Sequence, residues 1–478
     1  MNRDELKSKT LSNLTWRLFE NISTQFIGFA IQVVLARRLS PSDFGTIVLI
    51  SSFLSLIQIF IQVGLNTWII QSKNPSLDDY KTAQSTSVIS AIIFYFIIFL
   101  LAPWIGYIYN NSSLILLIRV QSITILFMGF ISVPISKIQR DLEFLKLFKI
   151  RLISTIFQGL TGIYLAFSGF GIWSLIYSSL IYQLSSFLMI TIFIGWIPIN
   201  SFNIVSFKTQ FKFGSHILVA SLLDNLLVSL QSLIIYGKYN SAELGFYNRG
   251  LALPTLIMSN TEGTLSSVLF PIMSRLHHFE YKLKDYVRIA FSISSYIIFP
   301  MMIGLILISK SLIIFLFTDK WIGSIQYMQI YSLITITWIT SIFVNSLNAI
   351  GRSDLNLKIN LVIKFIAITC LLVLSRFGII SIMLGMLFYS IINAMLLSYF
   401  ADKLLEYSLK EQLSDIIPTI LVTFLMGLSV YLVGVLVINI YLKLILQILF
   451  GVISYLIFSI LFKNKSFLFI YKNLIQKT

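Results

Sequence analysis

The sequence predicts an all-α polytopic membrane protein of about fourteen transmembrane helices, built from one six-helix unit used twice and closed by an extra pair. Three observations carry that prediction. Hydrophobic residues make up 57% of the chain and charged residues 11%, with mean hydropathy +0.89; soluble domains carry roughly 25% charged residues. Apolar stretches of about 20 residues recur along the 478 residues, long enough to cross a bilayer as helices and far too long for strands. A short charged turn also occurs twice, reading A-R-R-L-S-P-S-D-F-G at 36–45 and Y-G-K-Y-N-S-A-E-L-G at 236–245.

Taken in order, the first six spans fall near 12–36, 44–70, 84–108, 113–135, 150–167 and 171–195. The first carries Arg17 and Glu20 three apart on one helical face. It lacks a small-residue cleavage site, so it is expected to be retained. The repeated turn then joins spans one and two. Ser, Asp and Gly favour turns and caps; the first copy carries Arg37 and Arg38, and Arg38, Asp43 and Gly45 return at a constant offset as Lys238, Glu243 and Gly245. Six more spans are expected near 214–236, 247–270, 288–308, 327–349, 359–375 and 379–400, and the extra pair near 416–437 and 440–462.

Further echoes keep the same order: Asp79-Tyr80 with Asp285-Tyr286, Arg140-x5-Lys146 with Arg352-x5-Lys358, and F-G-I at 170–172 and 377–379. Their offsets drift only between 200 and 212. An even number of helices per copy preserves orientation, which relates the copies by an axis along the membrane normal. The expected units are residues 1–205, 206–408 and 409–478.

The net charge of +16 is explained by topology. With the N-terminus inside, most Lys and Arg outside the spans lie on the cytoplasmic side, in basic loops such as 137–151 and 275–288, and both termini are expected to be cytoplasmic. A nucleic-acid partner is not needed to account for it. The single Cys370 excludes an intrachain disulfide and a cysteine-based metal site. The three His (His216, His277 and His278) lack further ligands nearby.

Three segments carry a family resemblance: L-A-R-R-L-S-P-S-D-F-G at 35–45, G-F-Y-N-R-G-L-A-L-P-T-L-I at 245–257 and V-L-F-P-I-M-S-R-L at 268–276. In them the chain resembles the Wzx-type polysaccharide repeat-unit flippases of the multidrug/oligosaccharidyl-lipid/polysaccharide exporter superfamily, in the branch of the colanic-acid exporters. The resemblance extends over the first twelve spans. It implies two pseudo-symmetric six-helix bundles around a central cavity. It further implies alternating-access transport of an undecaprenyl-diphosphate-linked oligosaccharide from the cytoplasmic to the periplasmic leaflet of a bacterial inner membrane. The product would be O-antigen, capsule or exopolysaccharide, with a polymerase and a chain-length regulator as further partners. No cofactor is implied beyond coupling to an H+ or Na+ gradient.

Such a task needs fixed cations for the diphosphate and hydroxyls and aromatics for sugar. Ionisable groups inside spans are the place to look, because each costs about 2.5–3.5 kcal/mol on insertion scales and rarely faces lipid. Arg17, Arg119, Arg249 and Lys364 are the headgroup candidates; the alternative for Arg17 is a self-compensating pair with Glu20, and for the others snorkelling to an interface. Asp224, Glu262 and Glu20 are the proton or cation candidates, with a structural partnership to Asn225 as the alternative for Asp224. The residues of the repeated turn serve capping and topology, or gating. A drug exporter or a lipid II exporter of the same superfamily is the nearest competitor. An enzyme is not expected: there is no G-x-x-x-x-G-K-[ST], no D-x-D pair and no outside loop longer than about 20 residues.

Overall fold

The computed structural model describes residues 23–195, 202–276 and 280–475, which are helical almost throughout, with no strand among them. A first helix covers 23–38 (α1). It is followed by α2 (Pro41–Gln71), α3 (Leu77–Ile108), α4 (Ser113–Gln121), α5 (Ile123–Arg140), α6 (Phe144–Phe167), α7 (Trp173–Ile194) and α8 (Ile204–Lys238). Next come α9 (Ser241–Leu276), α10 (Glu280–Phe317), α11 (Ser324–Thr337), α12 (Ser341–Ala349), α13 (Ser353–Leu374) and α14 (Ile379–Leu405). The chain ends with α15 (Leu409–Leu436), α16 (Ile440–Leu461) and the short α17 (Lys465–Ile475).

Twelve helices among the described residues are long and apolar enough to cross a membrane, so this is a multi-pass membrane protein. The expected count of fourteen is approximate. Its first span lies partly outside the described residues, and its eighth falls inside α9.

The fourth span of each copy, expected as one continuous helix, is broken. In the first copy the break is at Ser122, between α4 and α5; in the second it is the 3-10 turn Trp338–Thr340, between α11 and α12. The cause is the same in both places, and it is not proline. Ser122 Oγ donates to Arg119 O at 2.8 Å and Thr124 Oγ1 to Gln121 O at 2.7 Å. Thr337 Oγ1 donates to Ile334 O at 2.8 Å and Thr340 Oγ1 to Thr337 O at 2.9 Å. Paired hydroxyls turned back onto carbonyls three residues earlier compete with the helical ladder and bend it.

By contact the chain forms two compact units, Met1–Gly245 and Phe246–Thr478, so the parting lies at Gly245 where the sequence suggests 205. The reason is α8, which packs along α2 through small residues. Ser229 Oγ donates to Ser52 O at 3.2 Å, and Ser55 Oγ lies 3.4 Å from Ser229 Oγ. Serines here let two backbones approach as closely as helices in lipid prefer. Gln210 Nε2 adds a bond to Asp79 O at 3.0 Å.

In the second unit the extra pair is fastened to α10 rather than merely following it. Tyr455 donates to Tyr296 O at 2.7 Å, and Tyr296 Oη lies 2.9 Å from Ser459 Oγ. At one end Arg288 grips Asp415 with two hydrogen bonds, of 2.5 and 2.9 Å, and Lys284 pairs with Glu411 at 3.0 Å. Tyr407, between α14 and α15, donates to the same Asp415 at 2.8 Å. Burial first, and that carboxylate second, push its phenol above the ordinary value and keep it a donor.

Candidate functional site

The repeated turn builds matching helix starts. In the first copy Ser40 caps α2 in a capping box: Asp43 N donates to Ser40 Oγ at 3.2 Å and Ser40 N to Asp43 Oδ2 at 3.0 Å. In the second, Glu243 N donates to Asn240 Oδ1 at 2.7 Å. The two starts then meet each other. A Cβ on Gly45 would overlap the carbonyl of Ser241, and one on Gly245 would overlap the carbonyl of Pro41. Residues 41 and 45 thus contact 245 and 241 by an exchange that a local two-fold axis produces, and only glycine permits that approach. The charges lie around this contact. Arg38 stacks over Phe167 at 4.0 Å, and Arg37 and Lys238 are exposed.

The described ionisable residues inside spans have different surroundings. In the first unit Arg119 is held at the end of α4 by Phe99, donating to its carbonyl at 3.4 Å and stacking over its ring at 4.3 Å. Asp224 is exposed on α8, while the neighbouring Asn225 amide donates to Ser221 O of the same helix at 3.0 Å. In the second unit Arg249 is buried, its guanidinium 5.4 and 5.5 Å from the ring centres of Phe317 and Trp321. Lys364 is half-buried on α13. Glu262 is half-buried on α9, hydrogen-bonded to Ser341, and lines a small cavity with Ser294, Trp338 and Asn345. Arg17 and Glu20 lie outside the described residues.

Two larger cavities contain residues that a search for charges passes over. One, in the first unit, has a volume of about 290 Å³; Gln58, Gln121, Gln158, Gln183, Ser179 and Tyr182 are among its lining, and no lining residue is charged. The signal for it was present as Ser and Gln recurring on one helical face, Ser51, Ser55 and Gln58 on α2 and Ser179 and Gln183 on α7. The other, in the second unit, is an apolar groove of about 390 Å³ between α10, α15 and α16, with Pro300, Gly304, Met426 and Gly451 in its walls. Its rim residues Met301, Ile448 and Val452 are exposed. No group of three or more His, Cys, Asp or Glu among the described residues could hold a metal ion.

Comparison with known proteins matches residues 34–326 to a family described as polysaccharide biosynthesis protein. The lipopolysaccharide biosynthesis protein WzxC of Escherichia coli (strain K12) is 24% identical over 445 residues, 88% of either chain. The lipid II flippase MurJ in an inward closed conformation superposes with a TM-score of 0.78 at 16% identity, over 96% of this chain and 99% of that one. An inward-facing multidrug resistance MATE family transporter superposes with a TM-score of 0.61 at 13% identity, over 81% of this chain and 98% of that one. The structural likenesses establish the fold.

Proposed function

Since the chain belongs to the polysaccharide biosynthesis protein family, in the Wzx-type branch of its exporter superfamily, we propose that it is a flippase. It carries an undecaprenyl-diphosphate-linked saccharide from the cytoplasmic to the outer leaflet by alternating access, and makes or breaks no covalent bond. The observation that carries this reading is the exchange of Gly45 and Gly245 with the carbonyls of Ser241 and Pro41. It is a close backbone-to-backbone contact at one end of the helices, and we read it as part of a gate that opens and closes once per cycle.

The chemistry of the substrate fits the rest. The exposed apolar groove offers a surface along which an isoprenoid tail can pack in place of lipid. Buried Arg249 and half-buried Lys364 and Arg119 are cations within the spans, the residue type that binds a diphosphate. A diphosphate leaving a negative interior moves with the field, worth about 2.3 kcal/mol per charge at 100 mV, so no nucleotide hydrolysis is required. Glu262, with Asp224 as second choice, is the group we assign to ion coupling.

Deletion and rescue in the native host test the proposal, with lipid-linked saccharides extracted and assigned to a leaflet. Complete saccharides accumulating on the cytoplasmic face, and relieved by the wild-type gene, support the flippase. Incomplete saccharides would point instead to a glycosyltransferase, and complete ones already outside but unpolymerised to a polymerase.

A further inference from the structure

We infer that the cavity inside the first unit is a binding subsite for a single uncharged sugar ring, held by the carboxamides of Gln58, Gln121, Gln158 and Gln183. This inference rests on the flippase reading and names where that substrate's saccharide is recognised.

The cavity lies among helices that cross the membrane, where a polar group finds either protein, a ligand or trapped water. Its polar groups are only partly spoken for. Gln121 is buried at the break of the fourth helix; its Oε1 accepts from Ser179 Oγ at 3.0 Å, which leaves its Nε2 to the cavity. Gln58 Nε2 donates to Gln62 Oε1 at 3.0 Å. The carboxamides of Gln158, on α6, and Gln183, on α7, make no hydrogen bond among the described residues. Two free amides on facing helices, with a third half-satisfied between them, are a built hydrogen-bonding site.

The kind of ligand follows from what the lining contains and what it omits. A carboxamide presents an acceptor and two donors side by side, which matches the donor–acceptor pairs of neighbouring sugar hydroxyls. Tyr182 adds aromatic surface for the apolar face of a ring. A diphosphate would find no cation here and a cationic drug no carboxylate, because no lining residue is charged. The volume of about 290 Å³ sits at the small end of the ~300–1,000 Å³ of small-molecule sites, which suits one ring and not a whole oligosaccharide. Gln121 and Thr124, three positions apart on either side of the break at Ser122, both stand on the cavity wall.

The test compares two probes by native mass spectrometry on the full-length protein: the saccharide-bearing lipid extracted from the deletion host, and undecaprenyl diphosphate without sugar. The double variant Gln158→Leu/Gln183→Leu is expected to lose at least tenfold in affinity for the first while binding the second within twofold of wild type. Retained binding of the bare lipid shows that the variant is folded. Equal loss on both probes, or loss on neither, overturns the subsite. If the double variant yields no folded protein, Ser179→Ala, which releases Gln121, is read the same way and is expected to give a smaller loss confined to the saccharide-bearing probe. Wild-type protein that binds neither lipid overturns the flippase reading and the subsite with it; wild type that binds both with equal affinity overturns the subsite alone.

Discussion

The two broken helices occupy the same place in the two copies of the repeat and are surrounded by different chemistry. Beside the first break, Gln58 and Gln62 on α2 stand bonded to each other, and the cavity there is polar and uncharged. Two hundred residues on, α9 carries Met258 and Glu262 at the matching positions, and the small cavity beside the second break holds a carboxylate bonded to Ser341. The backbone device is shared, and the side chains around it differ in chemistry. One copy offers amides, which bind without charge and do not titrate near neutral pH; the other offers a group that can exchange a proton.

Breaking the shared scaffold should have the largest effect. Gly45→Val and Gly245→Val each drive a branched side chain into a backbone carbonyl that has no rotamer by which to yield. Each is expected to cost about 1–3 kcal/mol or more, read as a lower thermal midpoint in detergent. Because both remove one and the same contact, the double variant should cost clearly less than the sum; strict additivity would mean the two glycines act separately.

The ionic fastening of α10 to α15 in the second unit ranks next. Asp415→Ala strips Arg288 and Tyr407 of their common partner. Arg288 remains partly solvated, so the expected loss is about 1–3 kcal/mol, below that of a fully buried pair. An unchanged melting midpoint would show that the extra helix pair is held by apolar packing alone.

Exchanging the diverged positions sharpens the comparison itself. Glu262→Gln installs in the second copy what the first already has. It is expected to change stability by less than about 1 kcal/mol while transport in proteoliposomes loses its response to a proton gradient and keeps its response to membrane potential. Persistence of the proton response would remove Glu262 from the coupling path. Asp224→Asn, at an exposed position, should leave the melting midpoint within about 0.5 kcal/mol of wild type; a larger shift would reveal a packing role.

Much of the framework was readable before any coordinates, because it depends on length and order along one chain. Apolar runs of about 20 residues become helices in lipid since every backbone group must be satisfied within its own segment. The offset of 200 between Gly45 and Gly245 identified the repeat. What those glycines do was not readable: the residue each approaches lies two hundred positions away, and proximity of that kind exists only once α8 has settled against α2. The same holds for Ser122 and Thr340, whose hydroxyls look like those of any span until their choice of a local carbonyl breaks the helix. It holds again for Gln158 and Gln183. An amide on an apolar helix reads identically whether it meets a neighbour or lines a cavity, and only the helices packed around it decide which. Composition and periodicity determined that this chain is a repeated bundle in a membrane. The packing of one helix face against another determined where its interior is left polar, because an unpartnered group is defined by what surrounds it and not by where it stands in the sequence.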